Sequence, residues 1–303
     1  MKQGSLLRDQ DGRLSTYFWV FFSFMFATGC QPVGTVSPAP SPSVTPVPGP
    51  TPTSEPTGSP SPAPTSSPSP IPIPIPIPTT THSPRPPTAA NETVCAGSVT
   101  ISGTDVSDYQ AGTNWTKVSR TGAGFAFVKA TEGLTFVNSD FSADWPAVSA
   151  AGMVRGAYHY FYPEDDPTEQ ADFYLTTVGN FSSTDLPPML DWEEAGGVST
   201  STDVKNAVTW LERVAAATGK TPIIYASPDF INALGNPSEL IAYPLYIANY
   251  GVTCPEVPPP WSSWVFWQSS DSGSISGVNG SVDLDTFNGS MSALKLFAST
   301  GVY

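Results

Sequence analysis

The sequence predicts an α/β fold: an irregular TIM-like (β/α) barrel with some outer helices missing, preceded by a disordered Pro-rich linker. Three observations predict it. Eight short apolar runs recur after residue 96, helix-like stretches lie between most of them, and acidic side chains gather at the ends of several runs. The runs are 100–106, 123–130, 154–161, 188–193, 222–226, 244–248, 264–268 and 282–287. Strands that alternate with helices pair in parallel through crossovers, and eight of them suit a closed barrel. The clearest helix lies within 203–217, where Val204, Ala207, Val208, Leu211, Val214 and Ala215 recur at helical spacing. Thr200, Ser201 and Thr202 stand before it as candidate caps, and Gly219 stops it. The connections before the last three strands are too short or too rich in Pro and Gly for helices, which is why outer helices are expected to be missing.

Composition divides the chain. Residues 31–90 hold 21 of the 34 prolines, mixed with Ser and Thr and including the Ile-Pro repeat of 71–78. Such a segment buries no core and favours extended polyproline II, so residues 31–95 are assigned to a linker. The remaining stretch, 96–303, suits one compact domain or a small barrel. From Asn91 onward, 8 Lys and Arg face 23 Asp and Glu, a net charge of −15. A domain this acidic is not expected to bind nucleic acid and gains no electrostatic adhesion to an anionic polymer, so a cleft has to supply the attraction to substrate.

Lys2, Arg8 and Arg13 precede the apolar run 17–27, which is short for a bilayer span and is followed by small residues. This is the pattern of an export signal over residues 1–30. Ala27-Thr28-Gly29-Cys30 resembles the lipobox of bacterial lipoproteins, in which cleavage leaves the cysteine to be acylated, although Ala27 stands where Leu is usual. Two readings stand: a lipid anchor at Cys30 holding the protein to a membrane (the outer one where a cell has two), or an ordinary secretory signal. At ~3.1 Å per residue, the linker reaches on the order of 150 Å or more from such an anchor. Setting Cys30 aside leaves Cys95 and Cys254, an even pair in an exported protein, which favours one disulfide over two free thiols. There are two histidines, His82 falls in the linker, and no pair of ligands has metal spacing, so no metal site is expected.

Within the domain, Leu190-Asp191-Trp192-Glu193 carries the most chemistry. On a strand, residues two apart share a face, with α-carbons roughly 7 Å apart. Pro187 and Pro188 lead into the run and Gly196-Gly197 break it. An apolar run ending in two acids reads as a barrel strand that delivers polar groups to a rim; a solvated acidic turn is the plainer alternative. Glycosidic hydrolysis needs such a pair, one carboxyl to protonate the leaving oxygen and one to stabilise the positive sugar. Asp105 ends the first run, Glu132 follows the second, and Asp283 opens the last. In a barrel, the C-terminal strand ends gather into one site. Asp283 sits early in its strand, so a bend or a late strand start is needed to bring it there.

Seven further segments flank this motif: Gly103-Thr104-Asp105-Val106-Ser107-Asp108-Tyr109-Gln110, Phe125-Ala126-Phe127-Val128-Lys129-Ala130-Thr131-Glu132-Gly133, Gly156-Ala157-Tyr158-His159-Tyr160-Phe161, Ile223-Ile224-Tyr225-Ala226-Ser227, Leu245-Tyr246-Ile247-Ala248-Asn249-Tyr250, Trp264-Val265-Phe266-Trp267-Gln268 and 277–285. In this order and spacing the chain resembles the family 25 glycoside hydrolases, the N-acetylmuramidases or Chalaropsis-type lysozymes, from about residue 102 to about residue 297. The resemblance implies an irregular barrel, no cofactor, and cleavage of the β-1,4 bond between N-acetylmuramic acid and N-acetylglucosamine in peptidoglycan. It implies Glu193 as proton donor, Asp191 as the residue that orients the substrate's N-acetyl group, and Asp105 and Asp283 as further cleft aspartates.

The remaining residues divide between two readings. Tyr158 and Tyr225 either hydrogen-bond substrate or are half-buried barrel aromatics. Trp192, Trp264 and Trp267 are candidates for stacking on sugar rings, with core packing expected for at least one. His159, in an aromatic setting, reads as a satisfied core histidine, and Lys129 with Glu132 as a structural pair. Glu194 and Asp285 are expected to be bystanders, turned away from their neighbours by strand alternation. The expected partner is the glycan strand of peptidoglycan, and the expected state is a monomer. Two rival readings stand beside this one. A non-catalytic wall-binding module has no need of a general acid, and the longer acidic signature of chitinases, Asp-x-x-Asp-x-Asp-x-Glu, is absent from the sequence.

Overall fold

A computed structural model of the chain describes residues 85–303. The signal-type segment 1–30, Cys30 and the linker up to residue 84 lie outside the described residues. Eight strands form the barrel: β1 (Ile101–Val106), β2 (Phe125–Glu132), β3 (Val154–Tyr160), β4 (Met189–Asp191), β5 (Ile223–Ala226), β6 (Leu245–Ala248), β7 (Phe266–Gly273) and β8 (Val282–Phe287). Around the ring the hydrogen-bonded order is β1, β8, β7, β6, β5, β4, β3, β2, and a β1–β2 pairing closes it. Each expected strand is present within a few residues of its expected bounds.

The helices are α1 (Trp115–Ser119), α2 (Phe141–Ala150), α3 (Pro167–Val178), α4 (Thr200–Thr218), α5 (Pro228–Ala233) and α6 (Met291–Thr300). Among the described residues, only α2, α3 and α4 are full crossover helices; β6 to β8 follow one another through short or irregular connections. α4 begins earlier than the apolar periodicity implies. Its cap is Ser199, whose side chain accepts from the Thr202 amide, and Gly219 ends it in the left-handed conformation at φ 69°.

One strand departs from the expected parallel pattern. β8 runs antiparallel to both β7 and β1. Its N-terminal end therefore lies at the rim where the other seven strands end. No bend or late start is needed to bring Asp283 to that rim, because the strand's direction does so.

Two apolar layers hold the barrel. Inside, Phe125, Phe127, Tyr246, Phe266 and Phe287 pack against one another, mostly edge to face. Room for two of these rings comes from glycine. A Cβ at Gly103 would lie 2.4 Å from the Phe125 ring, and one at Gly156 would lie 2.3 Å from Phe127. Outside, Trp115, Trp192, Trp210 and Trp264 pack between the strands and the outer elements.

The boundary expected at residue 96 moves towards the N-terminus, because residues 85–95 already belong to the globular unit. Glu92–Thr93 pairs antiparallel with Glu256–Val257. The Arg85 guanidinium donates to the carbonyls of Val257 and Trp261 at 3.2 and 3.1 Å and pairs with Glu92 at 3.2 Å. Cys95 and Cys254 are disulfide-bonded, their α-carbons 4.5 Å apart. Together these contacts strap the domain's entry onto the connection between β6 and β7.

Candidate active site

The site is built on strand alternation. Asp191 ends β4 with its side chain facing the barrel interior, Trp192 turns outward, and Glu193 turns inward again. The ladder continues through the motif, since Trp192 N–H donates to the Tyr225 carbonyl and Phe161 N–H to the Asp191 carbonyl. The two carboxyls lie within hydrogen-bonding reach of each other. Asp191 is buried at 7% exposure, whereas Glu193 opens onto solvent. Burial raises both carboxyls above their ordinary range, and the charge of Glu193 pushes Asp191 further. Lys129 opposes the rise in both. It is paired with Glu132 and stands 5.0 Å from the Tyr160 ring centroid. Two carboxyls this close titrate as a pair, because the charge of one opposes ionisation of the other. The pair can therefore supply one proton and one negative charge together.

Three more carboxyls lie below and beside this pair. Asp105, at the end of β1, is buried at 7% exposure and accepts from Gln268 Nε2 at 2.6 Å. It is within hydrogen-bonding reach of Asp283 and Asp285. Burial pushes Asp105 well up, and the charge of Asp285 adds to this. Burial and the Asp105 charge push Asp283 up to about 9. Tyr158, on β3, senses the charges of Asp105, Asp191, Asp283 and Glu193 and so stands among them. Tyr225, on β5, donates to Gln268 Oε1 at 2.6 Å. All four candidate acids and both candidate tyrosines thus share one rim.

Asp285 is not the bystander expected. It stands two residues from Asp283, so alternation places the two on the same face of β8. It is buried at 3% exposure beside Asp105, with Tyr246 near it, and burial pushes it up to about 8. Folded, it holds a proton that the unfolded chain releases near the ordinary value of 3.8. Between those two pH values the unfolded state binds fewer protons, so stability falls as pH rises. Asp285→Asn is therefore expected to flatten the loss of unfolding free energy between pH 4 and pH 8, by on the order of a few kcal/mol. Denaturant titrations of both proteins across that range check it.

Trp192 and Trp267 do not line the cleft as expected. Trp192 is fully buried against Phe161 and Phe230, with its Nε1 donating to the Glu194 carbonyl at 3.1 Å. Trp267 precedes the inward-facing Gln268, so it turns outward, packs edge-on to Trp264 and donates to the Asn249 carbonyl at 2.8 Å. Neither presents a ring to the cleft; the same alternation that delivers Asp191 and Gln268 excludes them. His159 is fully buried between Thr131 and Gln170, and burial lowers it to about 4. It is a neutral core residue. Glu194 meets Tyr160 OH at 3.4 Å on the outer rim.

Beside Glu193 opens a cleft of about 340 Å³, bordered by Tyr225, Asp229, Asn249 and Tyr250. The family model for glycosyl hydrolases family 25 matches residues 104–278, from the strand bearing Asp105 to the turn before Asp283. The chain belongs to glycosyl hydrolase family 25. It is a glycoside hydrolase of the lysozyme type.

Its family 25 relatives include lysozyme M1 of Streptomyces globisporus, 35% identical over 66% of this chain and 71% of that protein. An uncharacterized Escherichia coli K12 protein, YegX, is 40% identical over 66% of this chain and 74% of its own length. Among solved structures, the bacterial lysozyme of Streptomyces coelicolor superposes with a TM-score of 0.64 at 33% identity, covering 67% of this chain and 99% of that one. The matched region of this family 25 chain is the barrel itself.

Proposed function

We propose that this family 25 barrel hydrolyses peptidoglycan at the β-1,4 bond between N-acetylmuramic acid and N-acetylglucosamine. Glu193 protonates the leaving oxygen, and Asp191 orients and charge-stabilises the substrate's acetamido group as it attacks the anomeric carbon. Asp105 and Asp283 position these groups from the floor of the cleft, and Tyr158 and Tyr225 contact substrate from the wall. The observation that carries the reading is the Asp191–Glu193 pair, two neighbouring carboxyls both raised by burial at the edge of an open cleft. A general acid needs a raised pKa and access to the leaving group. Glu193, the more open of the two, has both. The lysozyme relative supports peptidoglycan as the substrate. Purified sacculi and chitin oligomers, digested side by side, test the substrate class. Soluble muropeptides from sacculi with chitin left intact are expected; cleavage of chitin alone contradicts the reading.

Export and anchoring belong to the same proposal. Lipidation at Cys30 and catalysis in the barrel sit at opposite ends of the Pro-rich linker and are separable. Cys30→Ala is expected to move the protein from the membrane fraction to the soluble one with unchanged specific activity, as fractionation and a turbidity assay would show.

A further inference from the structure

Gln268 sits on β7 opposite Asp285 of β8, where the pairing of the two strands shifts register. Its side chain is buried at 3% exposure under the cleft. An amide offers two N–H donors and an oxygen with two lone pairs. Here Nε2 donates to Asp105 Oδ2 at 2.6 Å, and Oε1 accepts from both the Tyr225 and Tyr250 hydroxyls. The pattern fixes several protons at once. With Oδ2 of Asp105 accepting, any proton on that carboxyl resides on Oδ1. The two hydroxyls also stand 3.3 Å apart, so the single proton of each tyrosine is spent inside this group, on Oε1 or on the other phenol. Each phenol oxygen keeps at least one lone pair, and both tyrosines line the cleft beside Glu193.

We propose that Gln268 is a positioning residue that ties the floor carboxyl Asp105 to the wall tyrosines Tyr225 and Tyr250 and turns that wall into a hydrogen-bond acceptor. The glycan group it fits is a donor, a sugar hydroxyl or an amide N–H, seated against Tyr250 and Tyr225 next to the acid pair. This deepens the proposed function and rests on its placing of the cleft at Glu193. No other amide or cation is hydrogen-bonded to Asp105 among the described residues, so the link runs through this one side chain.

The test uses Gln268→Glu and Gln268→Leu in the intact protein, with kcat/KM measured from acid to alkaline pH as a ratio to wild type. A protonated carboxyl repeats the amide's pattern, one oxygen accepting from the phenols and one O–H donating to Asp105. An ionised carboxyl cannot donate, and it faces Asp105 and Asp285, with Asp283 beyond them and only the neutral hydroxyls of Tyr225, Tyr246 and Tyr250 on the other side. Where the introduced carboxyl is ionised, both variants are expected to lose about 10- to 100-fold, the size of a strong side-chain hydrogen bond. As pH falls, Gln268→Glu recovers towards wild type and Gln268→Leu does not. Tyr250→Phe, at the half-open wall, raises KM with kcat kept, and it decides the matter if Gln268→Leu fails to fold. The proposal is overturned by a Gln268→Glu ratio that is flat with pH, by a folded Gln268→Leu within about threefold of wild type, or by an unchanged KM in Tyr250→Phe. Glu193→Gln run alongside separates the two claims. Full activity there removes the cleft assignment itself, whereas an inactive Glu193→Gln beside unaffected Gln268 variants removes only this inference.

Discussion

Glu193→Gln is expected to lower turnover by about 10²- to 10⁴-fold while the protein stays folded. The amide keeps the shape of the carboxyl but has no proton to give to the leaving oxygen, so the loss falls on kcat and leaves KM nearly unchanged. Stability is expected to hold or rise, because Glu193 opens onto solvent and its removal relieves the charge pressing on buried Asp191. Turnover on sacculi, read beside a thermal melt, checks both halves. More than about a tenth of wild-type turnover in a folded variant would show that another group gives the proton.

The second large effect concerns the substrate. Glycan lacking the acetyl group at the sugar whose bond is cut is expected to be a very poor substrate. A retaining enzyme with its own nucleophile brackets the sugar from opposite sides, its carboxyls about 5 Å apart. Asp191 instead leaves the same strand face as Glu193 and lies within hydrogen-bonding reach of it, which suits steering a neighbouring group better than attacking the far side of the ring. Rates on native, chemically deacetylated and re-acetylated sacculi decide this. The expected pattern is loss on deacetylation and recovery on re-acetylation. Equal or faster cutting of deacetylated glycan would leave Asp191 without the role given to it.

How much of this is legible in the sequence depends on local periodicity. The eight strands and α4 announce themselves because each buries one face or one stripe and carries a matching apolar pattern. The acids of the cleft are legible for the same reason, since strand ends in a barrel converge. What the sequence hides is direction. Nothing in Val282–Phe287 says that β8 runs against its neighbours; the short, irregular connections on either side of it are the only hint. That reversal places Asp283 at the rim. The misplaced tryptophans are a different matter. Trp192 and Trp267 each stand next to an inward-facing residue, so period-two alternation already turns them outward. Applied to Asp283 and Asp285, two apart, it also keeps both facing inward. Gln268 and Tyr250 could not be singled out from sequence, because their role comes from hydrogen bonds that join β1, β5, the end of β6 and β7 across the barrel.

The bond that is cut decides between a muramidase and any other glycosidase. Purified sacculi digested with the protein, followed by reduction of the new sugar ends and their identification by mass, test it most directly. The new reducing ends are expected to be N-acetylmuramic acid, formed in step with the loss of turbidity and absent with Glu193→Gln. New reducing ends that are N-acetylglucosamine would contradict it.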